Sequence, residues 1–150
     1  MMGAEPWSCF VPYQPDIAAA LEAAKAQEFA AGRYRVFDPD DPPATIDEAC
    51  EQAAESGTAS VLDMIGVADT PHEEVSDMFA SGELPSHFGM VAPLDPARLR
   101  ELYRTDRPNR PLVEKNLGFY EWIDRGLGIY VIVYEGETPS EIFFAGYSFD

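Results

Sequence analysis

Residues 125–150 read RGLGIYVIVYEGETPSEIFFAGYSFD, and this stretch decides the fold. It holds two β-rich runs, Gly128 to Tyr134 and Glu141 to Phe149, joined by a short polar connection with Gly136 and Pro139. Two such runs around turn residues predict a β-hairpin. Successive side chains of a strand point to opposite faces, so Ile129, Val131 and Val133 go one way and Tyr130, Ile132 and Tyr134 the other. Both sets are apolar or aromatic, which predicts a central strand covered on both sides.

Upstream, Trp7 to Val11 reads as a first strand ended by Pro12 and Pro15. Asp16 to Ala31 reads as a helix with Ile17, Ala20, Leu21 and Ala24 on one stripe and Gly32 at its end, small enough in that stripe to lie close on the hairpin. Arg33 to Phe37 reads as a short strand before the breaker DPDDPP. Thr45 to Ser56 is a second helix: Thr45 and Glu48 have capping-box spacing. Ile46, Ala49, Cys50, Ala53 and Ala54 fall on one buried stripe. Ser60 to Val67 reads as an inner strand interrupted by Asp63, an acid that must be paired if buried. Thr70-Pro71-His72-Glu73 opens a short helix, and residues 83–93 read as a loop. Asp95 and Pro96 start another helix, with Leu94 and Leu99 as a hydrophobic staple. Pro111 to Asp124 reads as a last helix carrying Leu112, Val113, Leu117, Tyr120 and Ile123 inward despite Gly118.

At 150 residues the chain predicts one domain, 1–150. The expected class is α+β: a single layered domain whose mixed or antiparallel sheet ends in the hairpin 128–149, packed on about four or five helices. No apolar run reaches the roughly 18 residues that span a bilayer. The N-terminus has neither a basic n-region nor an apolar h-region. With two cysteines, Cys9 and Cys50, a disulfide framework is not indicated. Together these predict a cytoplasmic protein with no membrane partner.

Charge is the unusual property. Twenty-seven acids against ten bases give a net charge of −17. The first 97 residues hold 18 acids and 3 bases, while six of the ten bases fall within residues 98–115. Such a field repels nucleic-acid phosphates and attracts basic partners. Solubility alone needs only roughly 2–8 units in a small domain.

Catalytic and metal motifs are weak. His72 and His87 fit no metal pattern, Cys9 has no base nearby in sequence, and no nucleophile elbow is present. Asp38, Asp40 and Asp41 lack the central glycine and closing glutamate of a calcium loop. No catalytic residue, metal or cofactor is expected. In charge and size the chain is similar to immunity proteins and other stoichiometric toxin inhibitors, a likeness in bulk that covers no motif.

Two readings follow. The first is a small acidic protein-binding module, an immunity-type or regulatory inhibitor acting as monomer or homodimer. It would dock on a basic protein through Asp38, Asp40, Asp41, Asp47, Glu48 and Glu51, with Asp69, Glu73, Glu74 and Asp77 as a second acidic arc. The alternative is a small-molecule-binding domain or small enzyme with a pocket lined by Arg104, Arg107, Tyr130 and Tyr134. The arginines of residues 98–115 would otherwise pair with acids of the chain itself or of a second copy.

Overall fold

The computed structural model describes residues 6–36, 40–56, 58, 60–68, 89–123 and 127–147. It has the α+β composition expected, with helices around a mixed five-stranded sheet of order β1-β5-β4-β3-β2. The strands are β1 (Pro6–Pro12), β2 (Gly66–Val67), β3 (Met90–Pro93), β4 (Gly128–Glu135) and β5 (Thr138–Tyr147). The helices described are α1 (Ile17–Ala31), α2 (Ile46–Ser56), α3 (Pro96–Tyr103) and α4 (Arg110–Lys115), with 3₁₀ turns at Val61–Asp63 and Gly118–Trp122.

The hairpin forms as its alternation requires. β4 is the middle strand, antiparallel to β5 and parallel to β3. Its turn is Gly136–Glu137, between the paired residues Glu135 and Thr138. Gly136 has φ 67°, the left-handed region that a primed hairpin turn demands at its first central position. Pro139 lies within β5, opposite Tyr134, where the register shifts. A proline cannot donate to the ladder, so it sits at an irregularity. The Tyr134 N–H instead donates to the Pro108 carbonyl at 2.8 Å.

The two faces of the sheet carry two hydrophobic clusters. Ile129, Val131, Val133, Phe143 and Ala145 pack with Tyr103 of α3, Val113 of α4, Phe119 and Ile123. On the opposite side Trp7, Cys9, Val11, Ile142 and Phe144 pack with Ala20, Leu21 and Ala24 of α1. Fully burying one such large apolar side chain contributes roughly 1.5–3 kcal/mol. Helix α1 starts where the Asp16 carboxylate accepts from the Ala19 N–H and ends at Gly32, φ 72°. Its small-residue stripe shares that cluster, but the elements it lies against are β1, the 3₁₀ turn Val61–Asp63 and β2 rather than the hairpin itself.

Four expectations are corrected. Arg33 to Val36 is not a strand: the Arg33 N–H turns back to the Glu28 carbonyl, and Tyr34 stacks on Phe29 at 5.8 Å. Ser60 to Val67 is not a continuous strand. Ser60 caps a 3₁₀ turn by accepting from the Leu62 N–H, and only Gly66–Val67 pair with β3. Residues 90–93, read as loop, form the parallel strand β3. Finally, the last helix stops at Lys115. Asn116 ends it by turning its side-chain amide to the Leu102 carbonyl at 2.6 Å while its Oδ1 accepts from the Gly118 N–H. Leu112 and Leu117 are then exposed rather than inward, and Phe119 is fully buried in their stead. The helix expected from Thr70, residues 83–88 and the strand tail at 148–149 lie outside the described residues.

Candidate acidic face and neighbouring clefts

Helix α2 presents acids because its other side is committed to packing. Ala49 and Ala53 are buried against Leu62, with Ile46 and Cys50 partly buried beside them. Asp47, Glu48 and Glu51 therefore point outward and are exposed, as are Asp40 and Asp41 in the turn before the helix. The cap is close to the expected box. The Glu48 N–H donates to Thr45 Oγ1 at 3.2 Å, and the Glu48 carboxylate reaches back to the Ala44 N–H at 2.8 Å, one residue before the cap.

Beyond α2, a buried polar staple holds the chain. Asp63 is only 2% exposed. Its Oδ1 accepts from both the Thr58 N–H at 2.6 Å and Thr58 Oγ1 at 2.8 Å, and the Thr58 and Ser60 hydroxyls are 2.7 Å apart. The carboxylate singled out by the sequence is thus the anchor between the end of α2 and the 3₁₀ turn carrying Leu62. A buried carboxylate needs such donors, and here they give it a structural task.

The same structural answer holds for the thiol of Cys9. It is buried, and burial first, with the nearby Glu28 carboxylate second, pushes its pKa up to about 12. A thiol held protonated is a poor nucleophile. Both cysteines are free. Glu28 is itself buried and held by the largely exposed Arg33, whose NH2 lies 2.6 Å from its carboxylate. Burial also raises the pKa of Tyr103 and takes that of Tyr120 up to about 12. The Tyr120 hydroxyl donates to the Trp7 carbonyl at 2.8 Å.

Two arginines of the basic region pair with acids of the chain. Arg100 pairs with Asp106 at 3.5 Å. Arg110 reaches Glu141 at 2.8 Å and Glu114 at 3.5 Å, with its guanidinium 4.1 Å from the Phe10 ring centre. Arg107 lies 5.9 Å from the Tyr134 ring centre. Arg104 caps α3 with φ 66°, its N–H donating to the Arg100 carbonyl.

Two clefts adjoin this region. One, about 350 Å³, lies between the start of α4 and the hairpin, lined by Asn109, Arg110, Tyr134, Ser140 and Glu141 among others. The second, about 180 Å³, lies between α3 and the free part of β4, with Leu94, Leu99, Asp106, Tyr130, Ile132 and Tyr134 in its walls. Of the four residues proposed for a pocket, Tyr134 borders both clefts, Tyr130 borders the second, and Arg104 and Arg107 line neither.

Asp38, Asp69, Glu73, Glu74, Asp77 and both histidines lie outside the described residues. No helix among the described residues is long and apolar enough to cross a membrane. The chain matches no protein-family profile, no curated protein and no solved structure.

Proposed function

We propose that the chain is a small acidic protein-binding module that docks on a basic protein partner, as an immunity-type or regulatory inhibitor would. One observation carries the reading. Asp41, Asp47 and Glu51 are exposed on and beside α2, and none of them is in an ion pair among the described residues. Arg33, Arg100 and Arg110, by contrast, each pair with an acid. Those three acids, on α2 and in the turn before it, therefore offer negative charge along an exposed helix face, which favours fast, salt-sensitive association with a positive surface. Asp40 and Glu48 belong to the same face, and Asp38, Asp69, Glu73, Glu74 and Asp77 complete the proposal.

The pocket reading has less support. Of the three charged residues lining the 350 Å³ cleft, Arg110 and Glu141 already satisfy each other at 2.8 Å, which leaves Glu135.

The test starts from a basic protein recovered with this chain at low salt. Its Kd should rise steeply with ionic strength. The combined change Asp41→Asn, Asp47→Asn and Glu51→Gln should weaken it about tenfold, from three exposed pairs at roughly 0.5 kcal/mol each. An affinity indifferent to salt and to these changes refutes the reading.

A further inference from the structure

The edge of β4 has a gap. Strand β3 pairs only with Gly128–Tyr130 and ends at Pro93, after which Asp95 and Pro96 turn the chain into α3. The chain returns to the same edge at Pro108, whose carbonyl accepts from the Tyr134 N–H. Ile132 lies between these two attachments. Which way its backbone points follows from two hydrogen bonds. The Tyr147 N–H donates to the Leu127 carbonyl, so odd-numbered residues of this strand turn their backbone groups towards β5. Tyr134, an even residue, donates away from β5. Backbone groups alternate along an antiparallel pair, so the N–H and C=O of Ile132 face outward. The ladder with β3 stops at Tyr130, and no turn or loop of the described residues bonds either group.

What they face is the 180 Å³ cleft. Its walls are apolar or aromatic at Leu94, Leu99, Tyr130 and Tyr134, with one charged side chain, Asp106. Asp106 is half exposed and held only by the 3.5 Å pair to the equally exposed Arg100. An outward N–H and C=O on one residue are the two contacts an added strand makes with an edge, and the carboxylate selects the sign of what accompanies it.

We infer that the notch beside Ile132 docks an extended peptide segment bearing lysine or arginine, one residue of which pairs with the Ile132 backbone as an added strand. This surface is separate from the acidic face of α2 and does not depend on it. The main chain of the segment supplies the two hydrogen bonds, its apolar atoms lie between the two tyrosines, and its cation meets Asp106.

The test is a titration of the intact, ¹⁵N-labelled chain with acetyl-Arg-Val-Arg-amide. The expected result is a shift of the Ile132 amide resonance and slower hydrogen exchange there. Methylating the valine nitrogen of the peptide should abolish both. Replacing its arginines by glutamates, or Asp106→Asn in the protein, should weaken binding about two- to fivefold, the effect of one exposed ion pair. An Ile132 amide unmoved at millimolar peptide overturns the inference. So does a glutamate peptide that binds as tightly, or shifts confined to Asp41, Asp47 and Glu51.

Discussion

Gly146→Ala should be among the most damaging single changes to the fold, although it adds one methyl group. Gly146 faces Gly128 across the hairpin and Trp7 across β1. A Cβ there would lie 2.6 Å from the Leu127 carbonyl oxygen, 2.7 Å from Trp7 Cζ2 and 3.0 Å from Gly128 Cα. Two of those atoms are backbone at the start of the neighbouring strand, so the ring cannot relieve the clash by moving alone. β4 and β5 must separate locally, which endangers the Tyr147 N–H bond to Leu127, 3.2 Å long. Overpacking costs about 1–3 kcal/mol and a lost hydrogen bond about 1 kcal/mol. The reduced freedom of the unfolded chain returns roughly 0.4–1 kcal/mol. The net loss is about 2 kcal/mol, against a total stability on the order of 5–15 kcal/mol. In urea, with a slope of roughly 2 kcal/mol/M, the midpoint should fall by about 1 M. Gly136→Ala is the matched control. It meets no atom within 4 Å but must hold φ 67°, and it should cost about 1 kcal/mol after the same entropic return. Midpoints of Gly146→Ala and wild type that agree within error, or a larger loss at Gly136, would refute the packing argument.

Asp63→Ala leaves a buried N–H and a buried hydroxyl of Thr58 without their acceptor and should cost about 2–3 kcal/mol in urea unfolding; no loss would show that the staple is dispensable. Native Cys9 should resist a thiol reagent at pH 8 while the partly exposed Cys50 reacts, and equal rates would contradict the burial of Cys9. Alkali should destabilise the fold. The folded thiol keeps its proton to about 12 where the ordinary value is 9.0, and the Tyr120 hydroxyl to about 12 where it is 10.0. The folded chain therefore binds more protons in that window, and the contribution of these two groups is constant below about pH 9 and is lost as pH rises from there towards 12. Tyr120→Phe should flatten part of that fall while losing about 1 kcal/mol at neutral pH with the bond to Trp7.

What could be read beforehand depended on whether local signals agreed with tertiary ones. The hairpin was legible because alternation over Ile129 to Tyr134 needs no long-range information. So were the helix starts at Thr45 and Asp95, where the side chain bonds its own helix. Arg33 to Val36 looked like strand because Tyr and Val favour extended backbone, yet the Glu28–Arg33 pair and the Phe29–Tyr34 stack bind it to the end of α1. Strand β3 was hidden by its brevity: four residues ending in Pro93 carry no period. The break after Lys115 was signalled by Gly118 and overruled by the apolar pattern. A side chain there would meet Asn116 Oδ1 at 3.2 Å and Leu102 Cδ1 at 3.3 Å, crowding that only the packed structure shows. At the candidate site, the outward acids of α2 follow from its apolar stripe, whereas the notch at Ile132 depends on where Pro93 and Pro108 sit relative to β4.

Not every acid on α2 needs a partner to explain it. Asp47 and Glu48 stand in the first turn, where a negative side chain meets the positive end of the helix and contributes roughly 0.3–1 kcal/mol. Glu48 additionally closes the cap. Their presence is what a helix start selects for its own stability. Glu51 sits a turn further along and Asp41 lies before the helix, so the dipole gives neither a comparable return, and next to other carboxylates each adds repulsion. These two positions separate the explanations. If the acids serve only the fold, Asp41→Asn with Glu51→Gln should leave stability level or raise it slightly by relieving repulsion, with no effect on any association. If they serve docking, the same pair should slow the association rate more than it changes dissociation, because exposed charges act on encounter, while Asp47→Asn shows its effect chiefly in the melting temperature.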